Sequence, residues 1–295
     1  RRYNTVLNTD TNQLEVENLN EINREFSRLN EHILSANINY QHDFAFGDFT
    51  PTLKMGGYTE YRTREYNTRL FIYSWKNGLP SNYRVMNVPD ELMQDKNYGE
   101  DKLYLLEQVD WRNNYEGNNM LGAGYAGVNL PFGKWNIYAG VRFEHSRMEL
   151  ISNTQKNEKS PTSVYYTYDD FFPSLNAAYR LNEQHQFRLS YGRTVNRPEF
   201  REVSSSVYYD FDLASNVQGN YDLKAAYIDN IDLGYEYYPS NGELISVSLF
   251  YKKFKNPIEW TYTVAGGTDL IYSYINAKGA DNYGVEVDIR KNLDF

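Results

Sequence analysis

The sequence contains no cysteine, so a disulfide framework and thiolate chemistry are both excluded. It has no apolar run of roughly 18 residues, which excludes a transmembrane helix. The 4 histidines show no metal-ligand spacing, and neither a Gly-x-Ser-x-Gly nor a Gly-x-x-x-x-Gly-Lys motif is present. We therefore expect no enzymatic activity, no cofactor and no bound metal.

The sequence also lacks a basic stripe. It has 30 Lys and Arg against 39 Asp and Glu, for a net charge of -9, so we expect no nucleic-acid partner. Tyrosine is abundant by contrast, with 29 residues. Such a content fits the aromatic belts of a membrane-embedded sheet, or a secreted β-protein whose rings stack on sugars. The mean hydropathy of -0.72 does not oppose the first reading, because only every second strand residue would meet lipid.

The most informative pattern is an alternation of apolar and polar residues. After the pair Gly133-Lys134, it places apolar side chains at Trp135, Ile137, Ala139, Val141 and Phe143. The same alternation recurs in segments 53–62, 187–192, 231–237, 245–251 and 283–290. A period of two predicts strands with one apolar and one charged face, which suits a sheet between lipid and water.

The connections between these strands alternate in length. Strands are predicted at 34–46, 52–66, 117–131, 135–149, 165–181, 186–196, 227–238, 244–256 and 275–291. Short connections at 47–51, 133–134, 182–185 and 240–243 contrast with long ones at about 67–116, 150–164, 197–226 and 257–274. Short turns at one end and long loops at the other are typical of outer-membrane barrels. An odd number of strands suggests that the sequence is part of a larger barrel.

The N-terminal region has a different pattern. Val16, Leu19, Ile22, Phe26, Leu29 and Ile33 follow helical spacing. This predicts a short amphipathic helix, either folded into a loop or binding a partner. The expected organisation is therefore a loop with this helix over 1–33 and a partial barrel over 34–295.

Two motifs carry a resemblance to a known family. A strand ending in Ser190–Pro198 runs into a long loop, and Gly219–Lys224 leads into the next strand. This arrangement resembles the barrel of a TonB-dependent outer-membrane receptor, over about residues 120–295. One departure is Ala225-Ala226, where the family usually has proline.

The resemblance implies an antiparallel transmembrane β-barrel of the type with about 22 strands, in the outer membrane of a Gram-negative bacterium. It also implies energy-coupled uptake of a scarce nutrient such as a siderophore, glycan or peptide. The partners expected from it are outer-membrane lipid, the protein's own plug domain and the TonB complex, with the plug and the TonB-contacting part outside this sequence. A surface lipoprotein over the loops is a further candidate. Two alternatives stay open, a secreted glycan-binding module without transport and a passive porin or adhesin barrel.

Candidate functional residues fall into two groups. The loop 197–226 contains an aromatic and acidic cluster that is suited to ligand contact or to loop packing, namely Tyr208, Tyr209, Asp210, Phe211 and Asp212. Polar strand residues are expected to line the lumen and contact the plug: Arg142, Glu144, Arg188, Asp232, Glu236, Glu286 and Arg290. Arg193, Arg197 and Glu199 should fix loop or plug geometry through charge-assisted bonds. Trp260 is expected to be an interface anchor at a loop base.

Overall fold

The computed structural model describes residues 5–16, 23–76, 94–267 and 269–293, and most of them lie in strands. The helical elements in these residues are short: α1 at Phe200–Val203 and 3-10 turns at Asp95–Asn97 and Trp111–Asn113. None of the helices in these four ranges has the length and apolar character to cross a membrane. The strands are β1 Thr5–Asn8, β2 Gln13–Val16, β3 Asn23–Asp43, β4 Thr52–Trp75, β5 Leu103–Gln108, β6 Tyr115–Phe132, β7 Trp135–Asn153, β8 Pro161–Arg180, β9 His185–Asn196, β10 Val207–Asp210, β11 Ser215–Gln218, β12 Ala226–Tyr237, β13 Leu244–Lys255, β14 Ile258–Gly266, β15 Asp269–Asn276 and β16 Gly279–Arg290.

The long strands form one sheet in the order β16-β13-β12-β9-β8-β7-β6-β4-β3, and β5 also pairs with β4. Strands that neighbour each other in this order are joined by the alternating short and long connections that the sequence predicts. We call the end with the short connections the turn end, and the end with the connections 197–225 and 256–278 the loop end. A second sheet, in the order β10-β11-β15-β14, forms from two of the long loops, and we call it the loop sheet.

The chain divides into two compact units. The first comprises residues 1–30, 65–115 and 153–161. Within it, β4 pairs antiparallel with β5, and the rings of Phe26 and Phe71 meet edge to face at 5.8 Å. Leu103 and Asn97 are the most buried of its described side chains, at 1% exposure each. The second unit comprises residues 31–64, 116–152 and 162–295 and contains every candidate functional residue named above.

The register of the second unit aligns the apolar side chains in rows. Leu233 lies directly opposite Leu189 on β9 and Leu249 on β13. The adjacent row holds Gly234, which faces Arg188 and Ser248. Because neighbouring strand residues point to opposite faces, these rows make one face apolar and the other polar.

No second layer covers the apolar face within the described part of the chain. Val141 is 45% exposed, Leu233 49% and Val285 63%, although all three lie in the middle of long strands. A secreted sandwich would bury such a face against another sheet. The structure therefore shows the arrangement that distinguishes a transmembrane sheet from a soluble two-layer module.

The predicted strands are present in the structure, several with longer ends, whereas the strands β1, β2, β5, β10, β11 and β14 are not predicted. β4 continues to Trp75 and β7 to Asn153, beyond their predicted limits, and β8 begins earlier, at Pro161. The predicted strand 275–291 is in fact two strands, because β15 ends at Asn276 and β16 starts at Gly279. The apolar alternation fades near the loop end, where both faces meet water, so it cannot mark where pairing stops.

The predicted N-terminal helix is wrong for residues 23–33, which belong to β3. Residues 17–22 lie outside the described part of the chain, so the predicted helix stays a prediction for these residues. Helical spacing of a few apolar residues is a weak signal when the backbone can pair with a neighbouring strand. Here β3 pairs with β4, and that pairing decides the conformation.

Candidate functional site

The polar face of the second unit carries a series of ion pairs and hydrogen bonds. Arg142 Nε lies 2.7 Å from Glu144 Oε1, and Arg188 Nε lies 2.9 Å from Glu236 Oε1. The predicted lumen residues that remain lie on the same face or rim: Asp232 accepts a hydrogen bond from Ser190 at 3.2 Å, Glu286 lies opposite Ser248 in the register, and Arg290 lies 3.8 Å from Asp288. The structure thus brings these residues to one face, and contact with a plug stays a prediction.

Arg197 forms the most buried part of this network. Its Nη1 donates to Glu144 at 2.8 Å and its Nη2 donates to Asp170 at 2.9 Å. The hydroxyl of Tyr227 also donates to Asp170, at 2.7 Å. Burial by itself lowers the pKa of the Arg197 guanidinium, but the hydrogen bonds to the two carboxylates outweigh it and raise the pKa. Arg197 stays charged at every physiological pH and holds the start of the loop to the wall.

The first turn of this loop is built around α1. Glu199 and Glu202 form a capping box, in which each side chain accepts a hydrogen bond from the other residue's backbone N–H. Burial raises the pKa of the Glu202 carboxyl, and repulsion from Glu199 acts in the same direction. The side chains of Phe200 and Val203 point into the interior and are 0% and 1% exposed.

The predicted ligand cluster lies on the β10–β11 hairpin, and its members do different things. The Arg201 guanidinium lies 3.4 Å from the ring centre of Tyr208. Asp210 accepts hydrogen bonds from the backbone N–H of Asp212 and Leu213 and so closes the turn. Tyr209 and Phe211 meet edge to face at 5.1 Å. Tyr208 and Asp210 are therefore occupied by loop packing, whereas Phe211 is 71% exposed.

A second aromatic group lies on the β14–β15 hairpin, and we call it the aromatic ladder: Trp260, Tyr262, Tyr272 and Tyr274. In the antiparallel register Trp260 faces Tyr274, and Tyr262 faces Tyr272, so all four rings share one face of the hairpin. Ring centres are 4.8 Å apart in the first pair and 6.0 Å in the second. Exposure rises from 8% at Tyr274 to 52% at Trp260 and 60% at Tyr262.

Sequence reasoning places Trp260 at a loop base and misses the ladder. A signal for it is present, because Trp260, Tyr262 and Val264 alternate with threonines before the pair Gly266-Gly267. Both glycines have positive φ, as a tight hairpin turn requires. Treating 257–274 as an irregular loop hides this short hairpin.

One asparagine holds the base of the β14–β15 hairpin. The Asn276 side chain accepts from the backbone N–H of Lys224 at 2.8 Å and donates to the carbonyls of Lys224 and Asn256, each at 2.9 Å. Asn256 itself has φ 53°, so the chain bends sharply where β13 passes into β14. The hairpin is thereby held against the 197–226 loop at a fixed angle.

Comparison with known proteins identifies the family. A family model described as TonB dependent receptor-like, beta-barrel, matches residues 1–295. The chain belongs to this family of TonB-dependent receptor barrels. Members of the family are transport receptors of the Gram-negative outer membrane, not enzymes, and they work with a plug domain and TonB.

Solved structures of TonB-dependent receptors share the fold. The ferric-catecholate import receptor Fiu from Escherichia coli K12 is 16% identical, with a TM-score of 0.56, and the match covers 90% of this chain and 36% of Fiu. The ferric citrate transporter FecA in its unliganded form is 14% identical, with a TM-score of 0.58 and coverages of 93% and 34%. The chain therefore spans about a third of each receptor. No curated protein sequence matches the chain.

In a TonB-dependent receptor barrel the polar face lines the lumen, which agrees with the ion pairs found here. The described residues contain no group of three or more His, Asp or Glu side chains placed to hold a metal ion.

Proposed function

We propose that the chain is part of the barrel wall of an outer-membrane receptor that imports a scarce nutrient with energy supplied through TonB. The observation that carries this proposal is the family match over the full 295 residues. In this proposal the apolar face meets outer-membrane lipid, the polar face meets the receptor's own plug domain, and the loop end faces the cell exterior. A surface lipoprotein over the loop sheet is a further candidate partner.

The height of the apolar face supports membrane insertion. On β12, eight positions separate Tyr237 at the turn end from Asp229 at the loop end. They span about 27 Å along the strand at ~3.4 Å per residue, and roughly 20 Å across a membrane at a tilt of about 40°. This is close to the apolar band of outer-membrane barrels.

Aromatic side chains border this apolar band at both of its ends. The ring centres of Trp135 and Tyr179 lie 4.7 Å apart at the turn end. Those of Phe143 and Phe171 lie 5.0 Å apart, nearer the loop end. Just beyond the second border, ionisable side chains begin on the same face, with His145 Nδ1 2.8 Å from Asp169 Oδ1. Such borders match the aromatic girdles that lie at headgroup level.

We propose the aromatic ladder as the primary ligand surface, with Tyr209 and Phe211 as a secondary surface. The segment 257–277 contains no lysine or arginine, so it offers no cation to an anionic iron chelate. Flat rings surrounded by threonine and tyrosine hydroxyl groups suit a neutral ligand that carries rings, such as a glycan. Among the nutrient classes expected for the family, a glycan is therefore the favoured one.

The transport proposal is tested with the full receptor in its native host. Deletion of the receptor should abolish growth on one member of a panel of sole nutrient sources. The panel comprises maltohexaose and cellohexaose as carbon sources, and haem and ferric citrate as iron sources. Deletion of TonB should produce the same defect, and neither deletion should affect growth on glucose. Growth that depends on the receptor but not on TonB would instead identify a passive porin.

The ligand surface is tested by calorimetric binding of the same probes to the purified receptor. Trp260→Ala with Tyr262→Ala should weaken binding of the active probe by at least about tenfold, because two stacking rings are lost. Thr263→Ala is the matched control, since Thr263 lies on the opposite face of the same strand. Equal affinities for the two variants would reject the ladder as the ligand surface.

A further inference from the structure

The segment 197–206, which we call the loop anchor, contains side chains that are more deeply buried than the residues of the proposed ligand surfaces. Phe200, Val203 and Ser204 are each at most 1% exposed. The segment belongs to a loop, and yet these side chains are buried against the polar face of the sheet. Long loops generally run over the surface, so such burial calls for a specific reason.

Phe200 lies beside two arginines of β4. The guanidinium carbons of Arg62 and Arg64 lie 5.4 and 5.5 Å from its ring centre. Both arginines also pair with Glu31 on β3, and Arg62 pairs with Glu199 at 3.1 Å. The carboxylates therefore hold both guanidinium groups next to the ring, within the distance of a cation–π interaction.

Gly117 on β6 gives the ring its space. A Cβ at this position would overlap the Cδ1 and Cε1 atoms of Phe200. Arg197 fixes the other end of the anchor to Glu144 on β7 and Asp170 on β8. The anchor is thus attached to β4, β6, β7 and β8 through different kinds of contact.

The anchor also carries both hairpins of the loop sheet. The backbone N–H of Asn220 donates to the Glu202 carbonyl at 2.6 Å, which ties the end of the β10–β11 hairpin to α1. The Asn220 side chain donates to the Tyr274 carbonyl at 2.9 Å, and β11 pairs in parallel with β15 at Val217 and Tyr272. Val217 is 0% exposed. Both hairpins are therefore linked to the same short segment, the first through Asn220 and the second through Asn220 and β11.

We propose that the loop anchor is a positioning lock, in which Phe200, packed beside Arg62 and Arg64, fixes both hairpins of the loop sheet to the barrel wall as one body. Phe200 is a positioning residue that contacts no ligand. The inference rests on the proposed function only for the role of the hairpins in ligand binding. The part of the inference that concerns how Phe200 holds the hairpins to the wall does not depend on any ligand.

Hydrogen exchange of the full receptor in detergent, without ligand, tests the lock. Phe200→Ala should speed exchange at least tenfold in both 207–218 and 258–276, and leave the strand segments 187–195 and 231–237 within twofold. No change in the hairpins would overturn the proposal, and so would a change in only one hairpin. Equal acceleration of the strand segments would also overturn it, because Phe200 would then support the whole sheet.

A second pair of variants decides the question if Phe200→Ala does not fold. Gly117→Ala should speed exchange in the same two hairpins, because the added Cβ displaces the Phe200 ring. Gly122→Ala on the same strand has open space around its Cβ and should change nothing. Equal effects of the two glycine variants would overturn the lock. Since no step uses a ligand, failure here is separate from failure of the proposed transport function.

Discussion

Replacing Leu233 by arginine tests whether lipid covers the apolar face. Leu233 lies four positions from Tyr237 and four from Asp229, so it is close to the middle of the apolar band. This places its side chain about 10 Å from each border, given the strand rise and tilt used above. Leu189 and Leu249 lie directly across from it, so no opposite charge is within the same row. An arginine near the midplane should cost about 2–4 kcal/mol.

The measurement is reversible unfolding of the full receptor in phospholipid vesicles by guanidinium chloride, read as midpoint and slope. Ser248→Arg is the matched control, since Ser248 lies on the polar face, opposite both Gly234 and Glu286. We expect this control to change the free energy of unfolding by less than about 1 kcal/mol, because the new charge meets water and a carboxylate. Equal costs for the two variants, or a larger cost at Ser248, would refute the assignment of the two faces.

Other expectations concern the loop end. Arg197→Ala leaves the Asp170 carboxylate buried without its cation and leaves Glu144 with Arg142 alone, so it should cost about 3–5 kcal/mol in the same unfolding assay. A cost below about 1 kcal/mol would mean that water already solvates the Asp170 carboxylate. Asn276→Ala removes the hydrogen bonds at the base of its hairpin, so limited proteolysis should cut 258–276 faster than in the parent receptor, and an unchanged cleavage rate would contradict this. The pKa of Glu202 is raised by burial, so the docked α1 loses stability as pH rises from the ordinary carboxyl pKa of 4.5 through the raised folded value. After correction for the intrinsic pH dependence of amide exchange, the protection of α1 should fall over that range, and Glu202→Gln should remove this fall. A fall that survives the substitution must come from another group.

The long strands of the second unit could be predicted because each has two chemically different faces. Alternation at 135–143 or 283–290 identifies both the strand and the side that faces water. The polar residues predicted for the lumen share one face for the same reason, as Arg188 and Glu236 illustrate. The role of Arg197 in fixing the loop also follows from its place at the strand end next to a motif that resembles the family's.

The loop sheet and the buried anchor could not be predicted in the same way. β11 and β15 are short and come from different loops, and their parallel pairing depends on contacts that are distant in sequence. Nothing local marks Phe200 as a buried ring, because its neighbours Arg62 and Gly117 lie on other strands. The N-terminal helix prediction failed for a related reason, since β4 supplies the hydrogen bonds that make residues 23–33 extended.

The ends of the strand order have a practical consequence for handling the protein. In the described residues β16 pairs only with β13, and β3 lies at the other end of the sheet order. Tyr283, Val285, Val287 and Ile289 of β16 are between 62% and 77% exposed. A free strand border beside such side chains is a template for joining further copies into aggregates. Produced by itself in buffer, this segment should accumulate as insoluble material, and the addition of flanking barrel strands should be what makes it manageable.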